Sequence, residues 1–583
     1  MLVSLKWLKD YVDIDLTPAE LAEALTMAGL EVDEIKVVKP AFTGVVAAEI
    51  LSVKPHPAAD KLSLCAVTDG SLNYPVVCGA KNIKAGDIVP LAKIGATIPG
   101  GYTIKASVLR GEKSDGMLCS AAELEIGDDA SGIMQLPHDI TPGAPLEDAL
   151  DLGDTVLDIG ITPNRADCLS MVGIAREAAA ITGKKIKLPV VAIRENEDDM
   201  KKATSVQIID ADLCPRYTAR MIKNVKVGPS PVWMKTRLEA AGLRAINNVV
   251  DVTNFVMLEM GQPLHAFDFR FLEEGRIVVR RSKQDEEFVS LDGKTRKLPA
   301  DTLLICDGVK PVAIGGIMGG LNSEVKEDTQ TVLLESAYFN PVSIRRSARK
   351  MAMPTDAAFR FERGIDPEGV LRALDRAAQL IADTSGGSIY KNCIDEYPQK
   401  IVVPSNIPLR LGRINEIIGA KIKGNDVVRI LKSIGMDVKK EGRGRYLVTP
   451  PSSRVDITGE IDLIEEIARL YGYDLIPMTL PDAAITEMAN LPRLDLEERI
   501  RKLLTGSGYT EIINFSFISP ASVNILCLKE NDPRRRLVYI KNPLAEDQAV
   551  MRTTMVFGLL DTLKKNANNG CSSLKIFEMG KIF

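Results

Sequence analysis

The chain has few histidines, few aromatic residues and no long apolar run, and each shortage reduces the range of functions that the protein can have. Its 583 residues include three histidines and two tryptophans, and 5% of them are aromatic. No stretch is long and apolar enough for a membrane span, and the first residues lack the charged start and apolar core of a signal peptide. We therefore expect a cytoplasmic protein that does not bind membranes.

Cysteine pairs at metal-binding spacing are also lacking. The nine cysteines are an odd number, and no two of them form a CxxC motif. This pattern argues against both a zinc ribbon and a disulfide framework. We expect reduced and mostly buried thiols.

The chain has no excess of positive charge, since its formal net charge is −5. Nucleic-acid binding would therefore depend on local basic patches. For each patch, a solvated face is the competing interpretation. The candidate patches are Arg280–Arg281, Arg345–Arg346 with Arg349–Lys350, Arg534–Arg536, and Lys564–Lys565.

The length and the texture of the sequence predict a multidomain α+β protein with about four domains. Five short β-branched runs between Thr43 and Leu136 are typical of a small barrel of the oligonucleotide-binding type, or OB-fold. The chain ends on an apolar strand, which favours a sequence that is C-terminally incomplete. The predicted parts are an N-terminal helical lobe (1–38 with 152–200), an inserted OB-fold barrel (39–151), an α+β domain (205–400), a small α+β domain (401–477) and a last segment (478–583).

Polar side chains cluster in two segments of the predicted barrel. Either they hold a nucleic-acid backbone or they are polar loops on a stable barrel. The residues are His56, Asp60 and Lys61 in HPAADKLSLCAV, and Arg110, Lys113, Ser114 and Ser120 in RGEKSDGMLCS.

A candidate site lies in the segment NNVVDVTNFVMLEMGQPLHAFD, residues 247–268. A Gly-Gln-Pro turn ends the predicted helix, and His265 follows just past that turn. The run GGIMGG, residues 315–320, is neither GxGxxG nor a Walker loop. Its glycines either let backbone amides approach a ligand or form a tight turn.

An acidic group occurs in SRVDITGEIDLIEEIARLYGY. Asp462, Glu465 and Glu466 share one face of a helix that is predicted to begin near Glu460, and Asp456 precedes it. Carboxylates without a nearby histidine or cysteine fit Mg²⁺. The alternative is a first helical turn enriched in acids, which the helix dipole favours.

Many motifs, in order along the whole chain, resemble the beta subunit of bacterial phenylalanyl-tRNA synthetase. They include VVCGAKNI, TPNRADCLS, NNVVDVTNFVMLEMGQPLHAFD, GGIMGG, TDAAFRFERG and SRVDITGEIDLIEEIARLYGY. The resemblance implies an (αβ)₂ heterotetramer with an alpha subunit, which attaches L-phenylalanine to its tRNA with ATP and Mg²⁺. It places the aminoacylation site on the alpha subunit, and tRNA binding and editing of tyrosyl-tRNA on the beta subunit.

The resemblance also implies a role for each domain. Residues 39–151 correspond to the tRNA-binding domain, 205–400 to the B3/B4 editing domain and 401–477 to the B5 domain. Residues 478–583 correspond to part of a catalytically inactive, class II synthetase-like domain with an antiparallel sheet. Editing has a physical reason, because a pocket made for a phenyl ring cannot strongly reject a ring with one added hydroxyl.

The matching positions suggest site residues. Glu335 corresponds to the group that recognises the tyrosine hydroxyl, and Gly315, Thr355 and Ala357 to the pocket wall. His265 corresponds to a residue near the scissile ester, where it acts as a base or positions water. Thr253 and Asn254 match neighbours of the ester and the terminal adenosine. The predicted magnesium ligands are Asp456, Asp462, Glu465 and Glu466.

Three functions are compatible with these features. The leading hypothesis is an editing subunit that needs its alpha partner for charging. The alternatives are an autonomous tRNA-binding or editing protein, and a scaffold with a vestigial pocket. The segment 478–583 favours the first, because its family role is largely the alpha interface. The family continues through the rest of the synthetase-like domain into an anticodon-binding domain, neither of which follows Phe583, so the sequence leaves anticodon recognition open.

Overall fold

The computed structural model describes residues 1–127, 129–150, 152–480 and 492–583. The chain is mixed α+β and divides into two compact units, Met1–Met478 and Thr479–Phe583. The predicted multidomain α+β class is confirmed. Residues 481–491 of the last predicted domain, and Asp128 and Asp151 of the predicted barrel, lie outside the described residues.

The chain starts with two short helices between two strands. Helix α2 begins after Thr17 because the side chains of Thr17 and Glu20 cap each other's backbone N–H groups. The four elements are β1 (Leu2–Ser4), α1 (Leu5–Lys9), α2 (Pro18–Met27) and β2 (Val32–Val38).

The second region is a curled antiparallel sheet with the strand order β10-β6-β3-β4-β5 and with β7 beside β6. The Asp115 N–H donates to the Pro75 carbonyl over 2.8 Å, so the turn before β10 returns to β5. Alternate residues of β3 belong to two apolar clusters, which therefore pack on opposite faces of the sheet. The elements are β3 (Thr43–His56), β4 (Ala59–Thr68), β5 (Asn73–Cys78), β6 (Ile88–Ile98), β7 (Tyr102–Thr103), β8 (Ser107–Leu109), β9 (Glu112–Ser114), β10 (Gly116–Leu118) and α3 (Leu146–Ala149).

The predicted helical lobe is wrong in one respect, since it contains a sheet. Strand β11 (Asp154–Ile159) lies between β1 and β2 and pairs antiparallel with both, and α4 (Met171–Thr182) follows it. The strands are far apart in the sequence, so a local pattern does not reveal their pairing.

The central region contains two larger sheets. One has the order β12-β23-β14-β22-β15 with β24 beside β14, and the other β13-β16-β19-β20-β21. The strands are β12 (Glu195–Asp199), β13 (Ser205–Ile208), β14 (Arg216–Lys223), β15 (Leu264–Asp268), β16 (Arg276–Arg281), β17 (Glu286–Val289), β18 (Thr295–Leu298), β19 (Leu303–Cys306), β20 (Pro311–Ile314), β21 (Met318–Gly319), β22 (Thr331–Tyr338), β23 (Ser388–Lys391) and β24 (Ile394–Glu396). The helices are α5 (Met200–Ala203), α6 (Val232–Ala240), α7 (Asn248–Met260), α8 (Pro341–Lys350), α9 (Asp356–Phe361) and α10 (Val370–Ser385).

Helix α7 is anchored on both sides. It packs on α10, and its Phe255 stacks on Trp7 of α1 with ring centroids 4.5 Å apart. The N-terminal lobe and this side of the central region therefore share one apolar core. This packing fixes α7 as a rigid wall for what lies on its other face.

A small region follows, with its own apolar core. Its three strands pair in the order β25-β27-β26. The elements are β25 (Ile407–Arg410), α11 (Leu411–Ile418), α12 (Gly424–Ser433), β26 (Asp437–Gly442), β27 (Arg445–Thr449) and α13 (Glu460–Tyr471). Helix α13 begins at the residue that the sequence predicts.

The second compact unit has a small core of its own. The predicted antiparallel sheet is present only in part among the described residues: β29 pairs antiparallel with β30, and Tyr539 with Val550, whereas β28 and β31 pair parallel. Two-residue strands carry too little pattern to predict their direction. The elements are α14 (Pro492–Gly506), β28 (Thr510–Glu511), β29 (Phe517–Ile518), α15 (Ser522–Ile525), β30 (Val550–Met551), α16 (Val556–Asn568) and β31 (Ile576–Phe577).

Two further expectations can be compared with the structure. All nine cysteines are free thiols and six of them are buried, as predicted. Among the described helices, none has the length and hydropathy that a membrane crossing requires.

Candidate active site

A cavity of about 270 Å³ lies in the central region between α7, the strands β15 and β22, the β20–β21 turn and the start of α9. Six residues that the sequence singles out line this cavity. They are Thr253, Asn254, His265, Glu335, Thr355 and Ala357.

Helix α7 presents Thr253 and Asn254 to the cavity. The polar residues before them in the sequence hold the start of the helix in place. The Asn247 side chain caps the helix by accepting from the N–H groups of Val249 and Val250. The buried Asp251 carboxylate accepts from the Ile246 N–H at 2.8 Å. The polar run in this segment therefore has two functions, a cap and a cavity wall.

Strand pairing brings His265 and Glu335 together. They are direct partners in the antiparallel register of β15 and β22. Directly opposite side chains emerge on the same face of a sheet, with Cβ atoms about 4.5–5.5 Å apart. The structure thus joins a histidine and a carboxylate that are 70 residues apart in the sequence.

Glu335 is 7% exposed and has a single hydrogen-bond donor among the described side chains. The Tyr217 hydroxyl of β14 donates to its Oε2 at 2.7 Å. Burial raises the pKa of Glu335 to about 7, although the hydrogen bond from Tyr217 opposes that rise. Near neutral pH this carboxyl therefore exists in both protonation states.

The imidazole of His265 is held edge-on to Phe267, with ring centroids 4.5 Å apart. Its Nε2 is buried and has no hydrogen-bond partner in the described part of the chain. Burial lowers the pKa of His265 to about 4, so the ring is neutral at physiological pH. A neutral ring with an unused nitrogen in a cavity can accept a proton from water or orient it.

The glycine-rich turn approaches the histidine closely. A Cβ on Gly319 would collide with Cε1 of His265, so any larger residue there would have to displace the imidazole ring. Gly316 also lines the cavity and has a positive φ of 67°. Gly315 does not line it, and a Cβ there would meet the Leu303 side chain at 2.9 Å. Residues 315–317 form the turn between β20 and β21, which agrees with the tight-turn interpretation of GGIMGG, and the approach of backbone amides to a ligand stays a prediction.

Thr355 and Ala357 belong to the start of α9. The Thr355 hydroxyl donates to the Ile317 carbonyl at 2.9 Å and accepts from the Ala358 N–H at 3.1 Å. It therefore caps α9 and also fastens that helix to the glycine-rich turn. Ala357, two residues later, is a small wall residue.

Sequence reasoning missed several residues of this site. Tyr217 lies in the strand RYTARMIK, which has no motif that identifies it. The apolar wall has no local signal either, because its members come from separate segments. These residues are Met257, Leu264, Leu291, Ile317, Met318 and Phe361.

The four acidic residues assigned to magnesium do not form one donor set within this chain. Asp456 and Glu466 both bind the Arg454 guanidinium, at 2.7–2.9 Å and 2.5 Å. Asp462 caps α13 by accepting from the backbone N–H groups of Thr458 and Gly459. Glu465 is exposed. As placed here, the donors fit a divalent cation poorly, and the magnesium assignment stays a prediction.

Glu466 instead belongs to a buried chain of ion pairs between α13 and α4. Arg469 bonds Glu466 and also Glu177, at 2.5 Å and 2.6 Å. Arg165 bonds Glu177 at 2.6 Å and Asp167 at 2.9 Å.

The polar residues singled out in the curled sheet have mixed roles. The buried His56 ring contacts the Leu109 carbonyl at 3.2 Å, and the buried Ser114 hydroxyl accepts from the Val77 N–H. Lys113 pairs with Asp115, and Ser120 bonds Glu123. Three of the seven remain exposed at the surface without an ion pair among the described residues. These are Asp60, Lys61 and Arg110.

Comparisons with known families give four matches along the chain. The "Putative tRNA binding domain" matches residues 45–145, the "B3/4 domain" 213–386, the "tRNA synthetase B5 domain" 407–473 and the "Phenylalanyl tRNA synthetase beta chain CLM domain" 476–583. The fold, the site and these matches define a modular chain of the aminoacyl-tRNA synthetase class.

Curated relatives specify the family. The "Phenylalanine--tRNA ligase beta subunit" of Syntrophus aciditrophicus is 62% identical over all of this chain and 73% of the relative. The proteins of the same name from Geobacter metallireducens and Moorella thermoacetica are 46% and 45% identical, with the same coverage. The chain belongs to the phenylalanine--tRNA ligase beta subunit family. The resemblance and the enzyme class predicted from the sequence are confirmed.

Proposed function

We propose that this chain joins an alpha subunit in an (αβ)₂ phenylalanine--tRNA ligase and itself hydrolyses tyrosyl-tRNA at the cavity around Glu335 and His265. Aminoacylation with L-phenylalanine and ATP occurs on the alpha subunit. The enzyme works in the cytoplasm. Residues 39–151 act as an OB-fold that binds tRNA, and residues 478–583 as an inactive, class II synthetase-like domain at the alpha interface.

The observation that carries the editing function is the pairing of Glu335 with His265 across β22 and β15. The ionised Glu335 carboxylate accepts a hydrogen bond from the hydroxyl of a tyrosyl side chain, in a cavity whose wall combines apolar side chains with a few polar ones. A phenylalanyl side chain has no hydroxyl and leaves this buried carboxylate less well bonded. A site built to bond a hydroxyl rejects the analogue that lacks it by several orders of magnitude.

Hydrolysis needs a water molecule directed at the ester carbonyl carbon. The neutral His265 ring presents its unpartnered Nε2 in the same cavity, where it binds that water. Thr253 and Asn254 lie beside it on α7 and contact the ester and the terminal ribose. The water oxygen bonds to the carbonyl carbon, the C–O bond to the ribose breaks, and one proton of the water passes to the ribose oxygen, so that tyrosine and the free tRNA leave.

The decisive experiment compares hydrolysis of tyrosyl-tRNA specific for phenylalanine by the chain and by its Glu335→Ala variant. Phenylalanyl-tRNA is the control substrate. We expect tyrosine-selective release that the variant loses. Release that is equally fast in the variant would rule out Glu335 as the selective group, and release in neither protein would favour a vestigial pocket.

The magnesium assignment to Asp456, Asp462, Glu465 and Glu466 is tested separately. An arginine side chain already pairs with two of the four carboxylates, so no step of the proposed reaction depends on the ion. The exposed Glu465 is the informative position. If Mg²⁺ binds there in the assembled enzyme, Glu465→Gln weakens Mg²⁺ binding in a calorimetric titration, and an unchanged titration excludes it.

An autonomous editor without an alpha subunit is the main alternative. The match of residues 476–583 to a phenylalanyl-tRNA synthetase beta-chain domain weighs against it. Copurification of an alpha chain would exclude the autonomous editor.

A further inference from the structure

Helix α8 carries an unusual concentration of uncompensated positive charge. All four of its charged residues are basic and exposed, and it contains no acidic residue. In the described part of the chain none of the four forms an ion pair, whereas other arginines of the same region, such as Arg220, Arg280 and Arg360, do. The four residues are Arg345, Arg346, Arg349 and Lys350.

The spacing of these residues increases their mutual repulsion. Arg345 and Arg349 lie at i and i+4, as do Arg346 and Lys350, and like charges at this spacing destabilise a helix. The helix dipole compensates only the residues of the last turn, Arg349 and Lys350. A polyanion placed along this face would relieve the repulsion of all four.

The inner face of α8 forms part of the support of the cavity. Gly316 lines the cavity, and a Cβ on it would meet the side chains of Phe339, Phe361 and Ile344 at 2.8–3.1 Å, so Ile344 of α8 lies close behind the glycine-rich turn. A helix is about 10–12 Å thick with its side chains. The cationic face therefore lies roughly one helix diameter behind the cavity wall.

A polar cleft of about 420 Å³ borders the same face and continues it. Arg346 and Lys350 line this cleft with Ser343 and Ser347. The acidic residues of the cleft, Asp212 and Asp301, both approach Arg281. Arg281, which lies outside α8, therefore pairs with these two acidic residues, and the α8 side chains remain available to bind a ligand.

We propose that the α8 surface, defined as Arg345, Arg346, Arg349 and Lys350, binds the sugar-phosphate backbone of a tRNA whose aminoacyl end occupies the cavity. This inference rests on the proposed editing function. Arginine and lysine heads on one helical face suit phosphates, because such contacts position a nucleic acid without reading its sequence. The overall charge of −5 makes a local patch of this kind more significant.

The test uses the assembled enzyme with its alpha subunit and a variant in which all four residues are changed to Gln. The kcat/KM for deacylation of tyrosyl-tRNA is measured at a series of salt concentrations. Hydrolysis of 2′(3′)-O-tyrosyl-adenosine, which has no RNA backbone, is measured in parallel as the control reaction. We expect the slope of log kcat/KM against log salt to become shallower by about one for each phosphate that the variant no longer binds. Hydrolysis of tyrosyl-adenosine stays unchanged.

A matched control changes four exposed lysines of the small region to Gln, and we expect it to keep the parent slope. These are Lys421, Lys423, Lys432 and Lys440. An unchanged slope in the α8 variant overturns the proposal, as does an equal loss on tyrosyl-adenosine, which indicates a structural role. Failure of the parent enzyme to deacylate tyrosyl-tRNA overturns the editing function instead. In that case, the same slope comparison with uncharged tRNA binding decides the α8 surface.

Discussion

The buried Glu335 carboxyl, which selects the tyrosyl side chain in the proposed function, lowers the stability of the folded chain when it is ionised. The carboxyl group lies among apolar side chains with one hydrogen-bond donor, and burial raises its pKa to about 7. The folded chain therefore keeps a proton that the unfolded chain releases above its ordinary pKa of 4.5. Stability from this group is complete below about pH 4.5 and is lost as the pH rises through 7.

The pH dependence gives a first prediction. Glu335→Gln removes the titrating group, so the variant should gain stability relative to the parent as the pH rises from 5 to 8.5, by up to about 3 kcal/mol. Melting temperatures of both proteins across this range measure the gain. The lowered pKa of His265 affects stability in both proteins alike, so its contribution cancels from the difference between their melting temperatures. A melting difference independent of pH would contradict the assigned shift.

Tyr217 is a positioning residue for Glu335, which is the basis of a second prediction. Its hydroxyl lowers the pKa of Glu335, so Tyr217→Phe should raise that pKa further above 7. The acidic limb of the pH profile for tyrosyl-tRNA deacylation then moves to higher pH, and the rate at neutral pH falls by about tenfold, since one hydrogen bond to a charged group is removed. If Tyr217 only fills space, the limb does not move.

Gly319 gives a third prediction. In Gly319→Ala the new methyl group would collide with the His265 ring, so deacylation should fall by at least about tenfold from the misplaced ring. Gly412→Ala is the matched control, because open space surrounds that glycine inside α11. The control should be neutral or stabilising by up to about 1 kcal/mol. Full deacylation by Gly319→Ala would mean that the ring position is unimportant.

Several residues of the site could be predicted from the sequence, and others could not. His265 stood out because histidine is rare here and follows a helix-ending turn. Glu335 gained its role only from family resemblance, because an acid in the middle of an apolar strand has no local explanation. Tyr217 could not be predicted, since its contact with Glu335 depends on the register of β14 and β22. Gly315 was expected at the cavity, but the turn directs Gly316 and Gly319 there instead.

At the scale of elements, α4 and α13 are joined by charge rather than by apolar contact alone. Arg469 lies between Glu177 and Glu466, and all three side chains are at most 5% exposed. Such a chain remains favourable only while every charge has its partner, because an isolated buried charge is strongly destabilising. The same pairing explains why Glu466 is not free to bind a cation.

The fourth prediction concerns this chain of ion pairs. Arg469→Met leaves two buried carboxylates with fewer partners and should cost about 3–5 kcal/mol of unfolding free energy in urea. Arg413→Met is the matched control, because it removes an exposed pair with Glu416, and it should cost less than about 1 kcal/mol. Equal effects of the two changes would show that burial does not govern the strength of this network.

The elements themselves were predicted unevenly. Helices such as α7 and α13 follow from caps and apolar periodicity, and they begin close to the expected residues. Pairings between distant segments, such as β11 with β1 and β2, depend on tertiary packing and have no local signal. The strands of the curled sheet, residues 43–118, could be predicted from the sequence because they follow one another along the chain and are separated by turn residues.

At the scale of the whole molecule, the chain separates the proposed editing site from the proposed alpha interface. Every residue of the cavity belongs to the unit Met1–Met478, and the match to the synthetase beta-chain domain covers 476–583. Each unit has an apolar core of its own. We therefore expect the first unit to fold without the second.

The last prediction follows from this separation. A chain that ends at Met478 should fold, keep tyrosine-selective deacylation within about threefold of the full chain, and no longer copurify with the alpha subunit. Since a threefold change corresponds to less than about 1 kcal/mol, it leaves the cavity essentially intact. Circular dichroism, deacylation kinetics and copurification of both chains in parallel measure the three properties. If the shortened chain still binds the alpha subunit, the interface lies in the first unit. If it folds but loses deacylation, the second unit contributes to tRNA presentation, and the two functions are coupled.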